Sequence, residues 1–290
     1  METEQTVLGR FGAYLQITPL VLILLTFLIA PMVVILLYSL FKFGPFATQI
    51  GVFVIDNYVR SLSFDSATWP ALADTIRTTA ITWAITLVLG FVLTYYLVFD
   101  IIQLRIKILL FLLAVVPFWT SGVVRMIAWL PFLGKEGLIN GSLIGLGITD
   151  EPLQFLLFSD FAVILSYVHV LTLFMVAPLF NVMARIDLRL IEAAKDQGAK
   201  GWQILLYIII PLSRPGIAIG TIFIVALTAS DFVAVRLLSG GTSGTLATSV
   251  FNQYAQSRYP LSAASGIILL IILLLFVGGI MRLVDIRKQL

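Results

Sequence analysis

With 60% hydrophobic residues, only 11% charged ones and a mean hydropathy of +1.07, this 290-residue chain cannot cover its surface with polar groups, which excludes a water-soluble globule. Its net charge of +3 is not gathered into a basic stripe interleaved with aromatics, so nucleic acid is not an expected partner. The absence of cysteine removes disulfide and thiolate chemistry, and a single histidine, His169, gives no basis for a metal site.

The composition predicts an all-α polytopic membrane protein with a single transmembrane domain over residues 1–290. A membrane-spanning helix needs about twenty apolar residues. Six stretches meet that length, at about 17–40, 76–99, 108–130, 158–180, 204–231 and 261–284. The N-terminal stretch carries Glu2 and Glu4 without Lys or Arg ahead of a long apolar run, so it is expected to stay as an uncleaved first span. Prolines such as Pro31, Pro117, Pro178, Pro211 and Pro215 fall within these runs and are tolerated in lipid, where neighbouring helices re-satisfy freed carbonyls.

Lys and Arg set the orientation. With both termini inside, eleven of the eighteen basic residues fall on the inner face, among them Arg10, Arg105, Lys107, Arg185, Arg189, Arg287 and Lys288. Asp56, Asp65, Asp74, Glu136, Asp150, Glu151 and Asp160 fall on the other face. Three longer outer segments follow, at 41–75, 131–157 and 232–260. In the first, Asp74-Thr75 is expected to cap the second span. The glycine-rich second is expected to hold a short re-entrant or interfacial helix, and SGGTSGTLATS in the third reads as a flexible run.

The segment between the fourth and fifth spans, about 183–203, is the most distinctive. A polar helix bearing Asp187, Arg189, Glu192, Lys195 and Asp196 is followed by Gly198 and Gly201, then by an apolar run containing Pro211. Gly198 suits a left-handed helix terminus, Glu192 offers a carboxylate to partner donors, and Ala193 and Ala194 let a partner surface approach closely.

No phosphate-binding GxxxxGK[ST] loop occurs, and neither does a GxSxG elbow or an HExxH pair, so catalysis by this chain is not expected. Ionisable residues at membrane depth mark either a transport path or a structural pair. Arg125, flanked by Trp119 and Trp129, is a path candidate or a snorkelling or carboxylate-paired structural arginine. Asp231 is a carboxylate for an ammonium group or an ion-pair partner of Arg236 or Arg125. His169 reads as a packed, hydrogen-bonded core residue ahead of a proton carrier. Trp83, Tyr95, Tyr96 and Tyr167 read as packing or belt residues ahead of a cation–π path.

Glu192-Ala193-Ala194, three residues, Gly198, nine residues, Ile208, one residue, Ile210-Pro211 resembles the EAA loop of bacterial type I ABC importer permeases. The segment Pro117 to Ser121, with Val124-Arg125, Ala128-Trp129 and Gly137 to Asn140, is similar to the spermidine/putrescine-type branch. Asp231-Phe232 is similar to a Gly-Asp-Phe element of that branch, whereas Arg236 departs from it, since a fixed cation repels a cationic substrate.

The resemblance implies a permease in the bacterial inner membrane whose 183–203 loop is a coupling helix. Asp187, Glu192, Ala193, Ala194, Gly198 and Pro211 would be its ATPase-coupling residues. Arg125, Trp119, Trp129, Asp231 and Arg236 are the candidate substrate-path residues. It further implies a dimer of ATP-binding subunits, a second and homologous permease, and an extracytoplasmic substrate-binding protein. ATP and magnesium would be held by the ATPase, with no cofactor in this chain. Two alternatives stand: the same importer type for an amino-acid-like, zwitterionic or anionic solute such as a phosphonate, and an ion-driven secondary transporter.

Overall fold

The computed structural model describes residues 16–44, 48–101 and 103–283. Arg10, Arg287 and Lys288 of the charge argument and Val284 at the end of the sixth expected span lie outside the described residues, as do the side chains of Pro117 and Phe118. The chain clusters into two compact units, one running to Ser66 and including Asn252–Ile268, the other made of Ala67–Phe251 and the stretch from Leu269.

In the first unit, helix α1 (Gln16–Ser39) is exposed at every residue to Tyr38. A helix apolar all round and exposed all round is made for an apolar solvent. It contains a π-turn, Leu25–Ile29, in which the Ala30 N–H reaches the Leu25 carbonyl, just before Pro31. Strands β1 (Phe41–Phe43) and β2 (Thr48–Phe53) pair antiparallel, with Phe41 opposite Phe53 and their rings 5.4 Å apart. These two strands were not anticipated from the sequence. Helix α2 (Asp56–Leu62) is tied to them by Asn57, whose side-chain amide donates to the Ser39 and Phe41 carbonyls at 2.8 and 2.9 Å.

The second unit is built around α3 (Thr68–Asp100), α7 (Asp160–Met183) and α9 (Gly201–Ser230), which pack on one another. Between α3 and α7 lie α4 (Leu104–Val115), a 3-10 turn at Val116–Trp119, α5 (Gly122–Leu133) and α6 (Leu138–Gly145). Then come α8 (Leu188–Asp196), between α7 and α9, and α10 (Val233–Leu238), α11 (Leu246–Ala255) and α12 (Tyr259–Leu283), with α11 and α12 crossing from one unit to the other.

The buried face of α3 carries a stripe of small, mostly polar residues, Thr75, Thr78, Thr79, Thr82, Thr86, Gly90 and Thr94, recurring every three or four residues with Thr78 and Thr79 side by side. Small residues permit close helix approach where lipid supplies no hydrophobic drive between helices. Met175 of α7 fills the resulting groove, because a Cβ on Gly90 would sit 2.7 Å from its Cγ and a Cβ on Gly220 2.5 Å from its Sδ.

Among the described residues five helices are long and apolar enough to cross a membrane: α1, α3, α7, α9 and α12. The expected third span, 108–130, is instead divided between α4 and α5, each 12 residues long, with the 3-10 turn and Ser121 between them. Proline at 117 supplies no backbone N–H and removes one rung of the helical ladder at this division, although Pro178 in α7 and Pro215 in α9 are passed without a break. The second span begins at Thr68, so Asp74-Thr75 lies inside a helix and does not cap that span: Thr75 Oγ1 donates to the Ala71 carbonyl and accepts from the N–H of Leu246, the first residue of α11. The run expected to be flexible is helical from Leu246; Gly240 and Gly241, at φ +59° and +86°, take the turn before it.

Candidate functional site

Two sites emerge, both in the second unit. The first is α8 with its flanks. Asp187 caps it, one carboxylate oxygen accepting the Arg189 N–H at 3.0 Å. Its other end closes with the Gly198 N–H on the Lys195 carbonyl and the Ala199 N–H on the Ala194 carbonyl, with Gly198 at φ +83°, where a side chain would be strained. Ile191 and Ala194 pack against the core that holds Tyr167 and Met183, while Leu188, Leu190, Glu192 and Ala193 are exposed. The structure thus separates the two alanines: only Ala193 is on the outer face.

After Gly198 the Lys200 N–H donates to Gln203 Oε1, and α9 starts at Gly201. A π-turn, Leu205–Ile209, precedes Pro211, and the Ile210 N–H reaches back five residues to the Leu205 carbonyl. The missing amide of Pro211 would have faced Tyr207, and the wider turn spreads that gap. Helix α8 is therefore joined by short turns to the end of α7 and the start of α9.

The second site lies at the opposite ends of those helices. A cavity of about 240 Å³ is lined by Arg125 and Met126 of α5, Tyr167, Val170, Leu171 and Phe174 of α7, and Leu227 and Asp231 at the end of α9. Tyr167 is only 1% exposed, and its hydroxyl has no hydrogen-bond partner among the described residues; neither does the buried Nε of Arg125. A buried polar group left without a partner costs about 1–3 kcal/mol, a cost that a bound group or water can relieve. One Asp231 oxygen accepts the Val233 and Ala234 N–H groups, the latter at 3.0 Å, and so starts α10.

The other path candidates separate from this cavity. Arg236 forms no ion pair with Asp231; it is exposed, with its guanidinium 4.5 Å above the Phe251 ring, which itself stacks on Phe232 at 4.5 Å. Trp119 is 83% exposed in the 3-10 turn and does not line the cavity. Trp129, one turn beyond Arg125, meets His169 edge-on at 5.6 Å, and its buried indole N–H has no partner among the described residues. His169 itself is exposed, contrary to the core reading, because its position on α7 is turned from the side that carries Tyr167 and Val170. Trp83 is a packing residue, donating to Thr221 Oγ1 at 2.9 Å.

Sequence reasoning missed a third cluster. Arg77 pairs with Asp160 and lies 3.8 Å from Asp74; the Ser243 hydroxyl donates to Asp160, and the Gly244 N–H to Asp74 at 3.3 Å. The only sequence signal was that Asp74 and Arg77 share a helix face.

A helical membrane bundle that carries a capped polar helix between two of its long helices, and an internal cavity at their far ends, has the architecture of a transport subunit. No family model matches the sequence. The spermidine/putrescine transport system permease protein PotB of Salmonella typhimurium (strain SL1344) is 36% identical over 224 residues, 77% of this chain and 76% of that one. PotB of Escherichia coli (strain K12) is 35% identical over 235 residues, 80% and 82% of the two chains. A chain of a solved bacterial alginate ABC transporter, crystallised with its alginate pentasaccharide-bound periplasmic protein, shares the fold at TM-score 0.76 with 18% identity, covering 95% of this chain and 94% of that one. This chain belongs to the family of ABC importer permeases that includes the PotB proteins. It is an integral membrane transport subunit and not an enzyme.

Proposed function

We propose that this permease imports polyamines of the spermidine/putrescine class, as one of two homologous permeases above an ATPase dimer and below a soluble binding protein. The observation that carries the substrate class is the 35–36% identity to the PotB proteins across more than three quarters of the chain. The crystallised alginate transporter, which includes a periplasmic protein, supports a binding-protein partner by analogy of fold.

In this reading α8 lies on the cytoplasmic side, and its exposed Leu188, Glu192 and Ala193 meet the ATPase. Asp187, Gly198 and Pro211 act by fixing its ends. ATP-driven movement of α8 tilts α7 and α9, and the cavity alternates between the two faces of the membrane. Phe174, the cavity residue of α7 nearest that end, stands nine residues before Met183, so about 14 Å of helix separates the driven end from the cavity. An ion-driven transporter has no use for an exposed capped helix at that place.

ATP hydrolysis by the reconstituted complex, with its own binding protein, is to be titrated with putrescine, spermidine, an amino acid and a phosphonate. Stimulation by the polyamines is expected. Stimulation by only the zwitterionic or anionic ligand would keep the importer and overturn its substrate.

A further inference from the structure

The cavity between α5, α7 and the end of α9 has an uneven chemistry. Its lining combines an acceptor carboxylate, Asp231, the Tyr167 side chain with its unpartnered hydroxyl and the guanidinium-bearing Arg125 with the apolar Met126, Val170, Leu171, Phe174 and Leu227. Asp231 uses one oxygen to start α10, and its other oxygen has no partner among the described residues. Arg125 makes no ion pair with it, so the two opposite charges face a common space without closing it.

We infer that this cavity takes a single terminal ammonium group of an alkylamine, with the methylene chain laid along the apolar wall. The ammonium donates to the free Asp231 oxygen and to Tyr167, both of which accept. Arg125 acts as a resident positive charge that admits one cation and repels a second brought close behind it. The site therefore reads the spacing between amines as well as their presence. This inference rests on the polyamine reading above, and it makes Arg125 a selectivity residue with Asp231 as the substrate's counter-ion.

The permease complex in liposomes, supplied with saturating loaded binding protein, allows radiolabelled putrescine and spermidine uptake to be counted per ATP hydrolysed. That ratio separates a lost substrate contact from a lost fold, which lowers uptake and hydrolysis together. Asp231→Asn is expected to lower amine moved per ATP at least tenfold, Asp231→Glu to restore part of it, and Tyr167→Phe to lower it severalfold. Arg125→Gln is expected to raise spermidine uptake relative to putrescine severalfold. Size-exclusion chromatography of each variant certifies assembly. Should the wild-type complex move neither amine, the polyamine reading fails and the site falls with it. Polyamine uptake by the wild type with an unchanged ratio in assembled Asp231→Asn and Tyr167→Phe complexes would overturn the site alone.

Discussion

Arg236 shows how one side chain's surroundings change its meaning. As a residue in a list it opposes a cationic substrate, since two unit charges about 5 Å apart repel by roughly 3 kcal/mol at an effective dielectric of 20. In the fold it is exposed and held over Phe251, outside the cavity that contains Asp231. A cation on an aromatic face at such a position contributes about 0.5–1 kcal/mol, an effect on local order and not on the substrate's energy. Arg236→Ala is accordingly expected to leave the maximum rate of polyamine uptake within about threefold of wild type and to lower the thermal midpoint slightly. A rise of tenfold or more in uptake would mean that Arg236 does face the substrate and that the cavity boundary drawn here is wrong. Gly198 presents the opposite situation, because its role follows from its backbone alone: φ of +83° disfavours any side chain by about 1–2 kcal/mol.

At the scale of elements, the three-helix packing of α3, α7 and α9 turns on Met175, held between Gly90 and Gly220. At Gly90 a new methyl meets Met175 Cγ at 2.7 Å and Cβ at 3.0 Å; the backbone fixes Cβ, and Cγ moves only by a change of χ1 that displaces the whole side chain. At Gly220 the first obstacle is Sδ at 2.5 Å, which side-chain rotation can move, with the Met175 Cα behind it at 3.3 Å. Overpacking of this kind costs typically about 1–3 kcal/mol. Gly90→Ala is therefore expected to lower the unfolding temperature of the detergent-solubilised complex by more than Gly220→Ala, and an equal or reversed order would show that the helices shift as bodies to absorb the methyl. The same elements show what a sequence discloses. Four of the long helices were placed within about three residues by hydropathy, since lipid imposes one length. The early start of α3 was hidden because Asp74 and Arg77 look like loop residues until Asp160 and Ser243 meet them. The division at Val116–Trp119 was hidden because hydropathy does not register a missing amide. Of the cavity, the charged Arg125 and Asp231 stood out in an apolar chain, whereas Tyr167 looked like any packed aromatic. Its lone hydroxyl is a property of its neighbours.

For the molecule as a whole, the question is how, in the proposed complex, energy from a partner ATPase reaches the cavity. Helix α8 has two faces with separate tasks. Ile191 and Ala194 hold it to its own core, and Leu188, Leu190, Glu192 and Ala193 are free of that core. A change on the outer face can then break an external contact while the permease still folds. In the proposed complex Glu192 presents its carboxylate to donors of the ATPase, and reversing its charge replaces attraction by repulsion in a partly desolvated contact, a change of several kcal/mol. Glu192→Lys is expected to remove the ATPase subunits from the purified complex, measured as a lost mass in size-exclusion chromatography with light scattering. The permease should still reach the membrane at the wild-type level and retain its partner permease. Ile191→Lys, on the inner face, should instead lower the amount of permease itself. Were Glu192→Lys to keep both ATPase subunits and polyamine-stimulated hydrolysis, α8 would not be the contact through which they act, and the mechanical link from α8 through α7 to the cavity would lose its input.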